Sequence, residues 1–329
     1  MGEPGVDELR ARADAGDRAA MTALGKRLLG NVTGLSDMRD GAAYVARAAA
    51  LEDAEALAQH AALVAAGMQN EPSWERAMQL LQRAAELGWA PAQEDLRLLA
   101  GAQGNDFAAM VAGADLEAWR RGRPQQLVSD APRILTVESF LSRAECARLI
   151  DRVRGKMDRA RVFDPASGVG MVAKERTNSK SEIMPTETDI PFLLAHARIS
   201  ATTGLPAPFF ELPNVLHYLP GQQFTPHYDF LDPQSPGLAA DIRSRGQRIV
   251  TFLVYLNDDY EGGETDFPEL GYRFKGKTGD ALMFGNVDPK GAPEPRTLHA
   301  GLPPTSGEKW LLSQWVRNRA PSLDAPDRV

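Results

Sequence analysis

The sequence predicts an α+β protein in which an N-terminal all-α helical-repeat solenoid precedes a strand-rich sandwich or jelly roll with flanking helices. The first 120 residues are rich in alanine and leucine, which favours helices. The segment 120–133 is polar and contains two prolines, which is typical of a linker. Short β-branched or aromatic runs dominate beyond residue 210. We therefore predict two domains, at residues 5–120 and 125–320.

The helical region contains an internal repeat of 36 residues. Related stretches begin at Gly16, Glu52 and Gly88, and Arg-Ala-Ala occurs in the same register at 47–49 and 83–85. Small residues recur where paired helices must approach closely, so we expect the units to stack into a short solenoid. The pattern resembles Sel1-like repeats, which are related to tetratricopeptide repeats. The alternative is an ordinary alanine-rich helical bundle.

The second half combines one predicted helix with several short strands. The helix follows a capping box at Ser142 and Glu145. Strand-like runs are IVTFLVYL (249–256), DALMFGN (280–286) and KWLLSQWV (309–316). Strands without intervening helices favour a sandwich or jelly roll over a doubly wound parallel sheet.

Composition excludes several classes of protein. With 37 basic and 44 acidic residues the net charge is −7, which argues against a nucleic-acid partner. A single cysteine, Cys146, excludes an intrachain disulfide, a zinc ribbon and a cysteine-ligated iron–sulfur cluster within one chain. No apolar run approaches the length of a membrane span, and the N-terminus lacks the apolar core of a signal peptide. We therefore expect a cytoplasmic protein without a membrane partner.

Three of the candidate functional residues form a possible metal site. His227 and Asp229 are two residues apart, so an extended backbone directs both side chains to one face. This pair alone is weak evidence for a metal site, because in a chain with 44 acidic residues a histidine often lies two residues from a carboxylate by chance. His299 follows 72 residues later, after a strand-like segment and a loop. Two imidazoles and one carboxylate on one face leave coordination positions open on Fe(II).

Two further residues suit a dicarboxylic co-substrate bound at such a metal. Lys309 begins a predicted strand ten residues after His299, and its ammonium group could hold the far carboxylate. Tyr218, nine residues before His227, offers a phenol for the same carboxylate. Taken singly, the lysine is typical of a solvated surface and the tyrosine of a half-buried strand. Their occurrence together with the histidines favours the functional interpretation.

The stretches around these residues resemble the prolyl 4-hydroxylase-type 2-oxoglutarate- and Fe(II)-dependent dioxygenases. The resemblance covers residues 125–318. It rests on ILTVESFLSRAECARLI (134–150), ERTNS (175–179), LHYLPGQQFTPHYDF (216–230), QRIVTFLVYLNDDYEGGETDFP (247–268), GDALMFGN (279–286) and RTLHAGLPPTSGEKWLLSQWV (296–316). It implies a double-stranded β-helix, which is a jelly roll with one open mouth.

The resemblance also implies a role for each site residue. The metal ligands would be His227, Asp229 and His299, which together with Lys309 form the catalytic centre, and the residues that bind 2-oxoglutarate would be Lys309, Tyr218 and Thr251. The residues that contact the substrate would be Glu211, Arg248, Trp315 and Arg176. The implied cofactors are Fe(II), 2-oxoglutarate, O2 and, in addition, ascorbate. Phe224 stands where a tyrosine is common in the peptide hydroxylases of the family, Arg317 stands where some members carry a histidine, and both departures bear on the substrate.

The function predicted from this resemblance is that of a procollagen-proline 4-dioxygenase-like enzyme, which hydroxylates a C–H bond of a prolyl residue in a protein or peptide and gives succinate and CO2. The helical repeats are expected to dock the substrate or to brace the oxygenase. Loops at 163–182 and 230–247 are expected to cover the mouth. Three alternatives remain: a hydroxylase of a free amino acid or small molecule, a repeat-based adaptor with a non-catalytic oxygenase fold, and a cupin-like protein of another metal.

Overall fold

A computed structural model describes residues 4–30, 35–68, 71–163, 170–171 and 173–320. Contacts divide these residues into two compact units. The helical unit contains the described residues of Met1–Arg121 together with Met184–Arg198, and the sheet unit contains those of Gly122–Ile183 and Ile199–Pro326. No helix in the described part of the chain has the length and apolarity that crossing a bilayer requires.

The described residues form α-helices in both units. They are α1 (Val6–Asp14), α2 (Arg18–Gly30), α3 (Leu35–Ala50), α4 (Ala54–Ala65), α5 (Trp74–Glu86), α6 (Ala90–Ala100), α7 (Phe107–Gly113), α8 (Leu116–Arg120), α9 (Arg143–Val153), α10 (Ile190–Thr203) and α11 (Pro236–Arg245). Single turns of 3-10 helix occur at Pro185–Glu187, Ala207–Phe209, Pro268–Leu270 and Pro295–Thr297. The described part of the first 120 residues is thus a helical region, as predicted.

The helical unit follows the period found in the sequence. Helices α2, α4 and α6 begin at intervals of 36 residues. Helices α2 and α3 cross so closely that a Cβ atom added to Gly25 would lie 2.9 Å from the carbonyl oxygen of Gly41. Larger residues at either position would therefore force the two helices apart. The assignment of these helices to Sel1-like repeats stays a prediction.

Part of the helical unit comes from the second half of the sequence. Ile190 and Leu194, on α10, belong to the same buried cluster as Leu24 and Leu28 of α2. This segment was not expected in the helical unit, because its position after residue 125 assigned it to the other predicted domain. The predicted boundaries at 120 and 125 stay predictions, whereas contacts divide the chain between Arg121 and Gly122 and add Met184–Arg198 to the helices.

The sheet unit contains antiparallel sheets. Its strands are β1 (Gln126–Asp130), β2 (Arg133–Val137), β3 (Asp158–Arg159), β4 (Val162–Phe163), β5 (Gly170–Met171), β6 (Ser179–Glu182), β7 (Asn214–Tyr218), β8 (Phe224–His227), β9 (Arg248–Tyr255), β10 (Glu261–Gly262), β11 (Thr265–Phe267), β12 (Tyr272–Phe274), β13 (Ala281–Gly285), β14 (His299–Gly301), β15 (Pro304–Ser306) and β16 (Lys309–Arg317). The larger sheet has the order β1-β2-β13-β9-β16-β7-β6-β3 and the smaller one β12-β11-β14-β8. All described strand pairs are antiparallel.

Aromatic side chains fill the space between the two principal sheets. Phe284 of β13 is fully buried and packs edge-on against Phe267 of β11, with ring centroids 5.2 Å apart. The Phe284 ring also lies 4.7 Å from that of His299 on β14. Two antiparallel sheets with a shared apolar interior are consistent with the predicted jelly roll.

Two local predictions have different outcomes. The capping box of α9 is present, because the Ser142 side chain accepts from the backbone of Glu145 and the Glu145 side chain accepts from that of Ser142. The interval 230–247, predicted to be a loop, instead contains α11. This helix has no buried residue, so no periodic apolar face announced it in the sequence. Of the other predicted loop, residues 164–169 and 172 lie outside the described residues.

Candidate metal centre and co-substrate cleft

The small sheet brings the two histidines of the predicted triad together. His227 ends β8, His299 begins β14, and the register of these strands places the two residues directly opposite each other. Asp229 follows two residues after His227. Its carboxylate oxygens lie 3.8 Å from Nε2 of His227 and 3.6 Å from Nε2 of His299. One ligand atom from each residue lies within 4.8 Å of the other two, so all three can reach one ion.

The hydrogen bonds of the two imidazoles fix their tautomers for metal binding. Nδ1 of His227 lies 2.8 Å from the carbonyl oxygen of Thr225, and Nδ1 of His299 lies 3.0 Å from that of Thr297. A carbonyl oxygen only accepts, so each Nδ1 carries the hydrogen and each Nε2 offers a lone pair. Burial, assisted by the neighbouring His299, lowers the pKa of His227 to about 3, so this imidazole is neutral. The donor set therefore fits Fe(II).

Two buried polar side chains orient the ligand carboxylate. Thr251 donates a hydrogen bond from Oγ1 to Oδ2 of Asp229 at 2.7 Å, and Nδ2 of Asn286 donates to the same Thr251 oxygen at 2.9 Å. Thr251 and Asn286 are fully buried. Burial alone would raise the pKa of Asp229, but the two histidines and the Thr251 hydroxyl outweigh it and lower that pKa. Hydrogen bonds of this kind, from residues that do not bind the metal themselves, hold a metal-binding side chain in the orientation that coordination requires.

Two residues of this arrangement bear on the predicted site. Thr251 was predicted to lie near the 2-oxoglutarate pocket, and the structure shows its hydroxyl donating to the carboxylate of Asp229, which lines the cleft. Asn286 was not singled out at all. A single asparagine at the end of a strand has no distinguishing spacing, and only the pairing of β13 with β9 brings it to Thr251.

A cleft of about 400 Å³ opens beside the triad. Both principal sheets line it: His227 and His299 come from the smaller sheet, while Lys309, Tyr218 and Trp315 come from the larger one. The sequence-predicted residues that line the cleft are Arg176, Tyr218, His227, Asp229, His299, Lys309 and Trp315. The cleft therefore joins the candidate metal ligands to a separate group of polar side chains.

Lys309 is the most deeply buried charge in the cleft. It begins β16 opposite Tyr218 and has no exposed surface. Its Nζ donates to the carbonyl oxygen of Gly263 at 2.7 Å and lies 5.1 Å from the ring centroid of Tyr218. No carboxylate among the described residues forms an ion pair with it. Burial lowers the pKa of Lys309 to about 7, against the opposing charge of Glu264.

Tyr218 forms the wall beside this ammonium group. Its side chain is 2% exposed, and burial raises the pKa of its phenol to about 12, so the hydroxyl stays protonated and can donate. A Cβ atom added at Gly301 would lie 3.2 Å from the Tyr218 hydroxyl oxygen, so a larger residue at Gly301 would crowd the phenol. A buried cation beside a phenol donor is a suitable binding site for a carboxylate.

Two of the predicted substrate residues are paired with each other. Arg248 binds both carboxylate oxygens of Glu211, at 2.6 and 2.9 Å. Burial opposes ionisation of Glu211, but Arg248 and Arg317 outweigh it and hold its pKa at about 2. Arg248 also stacks over the ring of Trp315 at 3.7 Å, and Trp315 faces the cleft. Glu211 and Arg248 thus support the wall that Trp315 forms.

Arg317, one of the two departures from the family pattern, extends this ion-pair network. It is 2% exposed and donates from Nε to Glu211 at 2.7 Å and from an Nη atom to Asp241 of α11 at 2.8 Å. A second Nη atom donates to the carbonyl oxygen of Gly246. Arg317 therefore ties α11 to the larger sheet, a role that requires a guanidinium and that the sequence did not reveal.

Arg176 and Phe224 stand on the other side of the triad. The Arg176 guanidinium lies 4.4 Å from the centroid of the Phe224 ring, and that ring stacks on His227 with centroids 3.4 Å apart. Arg176 is 6% exposed and lines the cleft. The second departure from the family pattern, Phe224, therefore fills the space between a metal ligand and a buried cation.

Comparison with known proteins identifies the same region. The 2OG-Fe(II) oxygenase superfamily model matches residues 213–317. Prolyl 4-hydroxylase 1 of Arabidopsis thaliana is 34% identical over 232 residues, which cover 66% of this chain and 80% of the relative. Probable prolyl 4-hydroxylase 10 of the same plant is 34% identical over 212 residues, covering 58% of this chain and 71% of the relative.

A solved structure is also similar. The viral collagen prolyl hydroxylase of Paramecium bursaria Chlorella virus-1, solved as a 2OG complex, shares 32% identity over 56% of this chain and 95% of its own, with a TM-score of 0.43. The sequence identity to the plant enzymes, together with a histidine–aspartate–histidine site in a two-sheet domain, decides the family. The chain belongs to the prolyl 4-hydroxylase family of Fe(II)- and 2-oxoglutarate-dependent dioxygenases.

Proposed function

We propose that this enzyme hydroxylates a prolyl residue of a protein or peptide, with 2-oxoglutarate and O2 as co-substrates and succinate and CO2 as products. The observation that carries the proposal is the convergence of His227, Asp229, His299 and Lys309 on one cleft. Relatives that this chain matches are prolyl 4-hydroxylases. The alternative substrate is a free amino acid, and a turnover measurement distinguishes it from a peptide.

Each element of the cleft has a distinct task in this proposal. When bound by the triad, Fe(II) supplies the activation of O2 and the oxidation of the C–H bond. Lys309 would neutralise the distal carboxylate of 2-oxoglutarate, and the protonated Tyr218 would donate a hydrogen bond to it. Thr251 would hold the Asp229 carboxylate still while the co-substrate binds. None of these residues needs to act as a general acid or base.

The wall opposite the co-substrate would position the target. Trp315 presents an aromatic face to the cleft, and Arg248 holds that face from behind. An indole held by a stacked and ion-paired guanidinium has little rotational freedom. It can therefore orient a pyrrolidine ring without a further loss of side-chain entropy when the substrate binds. Burial of Asp229, His299 and Lys309 limits the access of water to the reacting centre.

We propose that the helical region binds the protein substrate or braces the oxygenase unit, and that its helices are Sel1-like repeats. The period of 36 residues shared by α2, α4 and α6 supports this assignment. Deleting the first 120 residues would distinguish the two roles. A docking surface would lower turnover of a whole-protein substrate while sparing short peptides, and a brace would lower both.

The test of the proposed reaction is a turnover measurement with purified enzyme, Fe(II) and 2-oxoglutarate, with and without ascorbate. Proline-containing peptides and free proline are compared by succinate release and by the gain of one oxygen atom in the mass spectrum. We expect peptide-dependent succinate that disappears in His227→Ala. Turnover on free proline without any on peptides would show that the substrate is a small molecule and not a protein.

A further inference from the structure

We infer that Arg176 binds a carboxylate of the substrate next to the target proline, so that the preferred substrates are acidic prolyl peptides. The inference rests on the proposed prolyl hydroxylation and names the substrate class for the same cleft. It is carried by the position of Arg176, by its hydrogen bonds and by the distribution of charge around the cleft.

Arg176 is held rigidly at the edge of the cleft. Its Nε donates to Oδ1 of Asn178 at 3.2 Å, and one Nη atom donates to the carbonyl oxygen of Arg161 at 3.2 Å. Asn178 is itself fully buried, and the guanidinium face packs on Phe224. Two of the five N–H donors are thus used, and the remaining three have no acceptor among the described residues.

Arg176 is buried, and the carboxylate of Asp229 acts on its charge from beyond ion-pair distance. No carboxylate in the described ranges forms an ion pair with it, and burial lowers its pKa. Arg248 and Arg317, by contrast, are paired with Glu211 and Asp241. A buried cation without a partner costs free energy, and an arriving anion removes that cost.

The expected cofactors leave this charge unmatched. The two charges of Fe(II) and the charge of Lys309 are balanced by Asp229 and by the two carboxylates of 2-oxoglutarate. Among the described side chains that line the cleft, one positive charge therefore stays unmatched after loading, that of Arg176 beside the triad. A neutral peptide would leave this guanidinium buried and unpaired, whereas a carboxylate would form charge-assisted hydrogen bonds with it.

A substrate carboxylate has two chemical sources. It can be the side chain of an aspartate or glutamate next to the target proline, or the terminal carboxylate of a chain that ends in proline. Two matched pairs of labelled peptides separate these sources. One pair is blocked at both ends and carries Asp or Asn beside the proline. The other pair ends in proline, with a free carboxylate or an amide.

The test measures KM and kcat for each peptide and, separately, the Kd from fluorescence anisotropy with anaerobic enzyme loaded with Fe(II) and 2-oxoglutarate. In at least one pair we expect the carboxylate peptide to show a KM and Kd about 10- to 100-fold lower than its neutral partner, which is the range for hydrogen bonds to a charged group. The kcat values within a pair should be similar, because the contact is made equally in the ground and transition states.

The variants connect this preference to Arg176. In Arg176→Gln the difference within the preferred pair should disappear, while Arg176→Lys should retain part of it. Arg159→Gln removes an exposed positive charge from β3 and should keep the full preference. Retained binding of 2-oxoglutarate by Arg176→Gln shows that the cleft is intact.

The outcomes are separable from those of the proposed function. Equal Kd values for acidic and neutral peptides in the wild-type enzyme, or a preference that survives Arg176→Gln, would overturn the inference even if prolyl peptides are hydroxylated. Absence of turnover on every peptide would contradict prolyl hydroxylation instead. The anisotropy measurement decides on Arg176 in either case.

Discussion

The affinity for 2-oxoglutarate should fall steeply as the pH rises through neutrality, because of Lys309. This residue is fully buried, and burial lowers its pKa from 10.5 to about 7 in the free enzyme. A bound carboxylate favours the ammonium form and raises that pKa again. Binding is therefore strongest below pH 7, where the ammonium group is already present. Above pH 7 binding must be accompanied by the uptake of a proton.

The size of the effect follows from the fraction of enzyme that carries the ammonium form. With a pKa of about 7, that fraction is about three quarters at pH 6.5 and about 3% at pH 8.5, so the apparent Kd should rise about 25-fold between them. The carboxylates of 2-oxoglutarate are ionised throughout this interval. The pKa of His227, at about 3, also lies outside it.

Isothermal titration of anaerobic, Fe(II)-loaded enzyme with 2-oxoglutarate measures this directly. Repeating the titration in buffers of different ionisation enthalpy gives the number of protons taken up, which should approach one at pH 8.5. Lys309→Arg is the matched control, because a guanidinium keeps its charge over the whole interval. The variant should bind more weakly at every pH and lose the pH dependence. A constant Kd in the wild type, with no proton uptake, would refute the reasoning.

Three further predictions concern the metal site and the stability of the sheet unit. Thr251→Val removes the hydrogen bond to Asp229 and should weaken Mn(II) binding about 10- to 100-fold in a competition titration, with the melting temperature as a control for folding. Arg317→Met should lower the free energy of unfolding by about 1.5–3 kcal/mol, because Glu211 and Asp241 each lose one of their two basic partners and its charge-assisted hydrogen bond, while Arg248 and Arg245 remain. The control Arg133→Met, which breaks an exposed pair, should change it by less than about 1 kcal/mol in the same denaturant titration. Phe284→Ala should cost about 3–5 kcal/mol in that titration, since the ring fills the space between two sheets; a loss below about 1 kcal/mol would contradict this packing.

The triad could be predicted because its signal is local. The spacing of two residues predicted that His227 and Asp229 face one ion, which they do although β8 ends at His227, and His299 was recognisable by its place after a strand-like segment. The capping box at Ser142 and Glu145 was equally readable, since a cap is set by residues three positions apart. The His227–Asp229 pair and the capping box each join close neighbours in the chain, whereas His299, on another strand, was linked to the pair by its occurrence together with Lys309 and Tyr218.

The remaining contacts join residues with no common period. Glu211 and Arg317 are 106 residues apart and meet only because the β16 end folds back beside residue 211. The resemblance to the family indicated Glu211 as a substrate residue, but it could not show that two arginines already occupy its carboxylate. Asn286 reaches Thr251 through the register of two strands, which composition does not encode. Predicting these contacts requires knowing which strands pair and in which register, and the residue pattern within one segment does not give this.

The charges around the cleft fall into two groups that differ in what they contribute. Arg248 and Arg317 have carboxylate partners, so their burial stabilises the wall without any ligand. Lys309 and Arg176 have no such partners among the described residues, so their burial destabilises the ligand-free enzyme. Free energy lost in the empty cleft is recovered when an anion binds, which means that unmatched cations raise affinity for anions at the expense of stability. Since 2-oxoglutarate can neutralise Lys309 but leaves Arg176 buried and charged, the enzyme loaded with its co-substrate still favours one more anion, and the substrate is the component left to supply it.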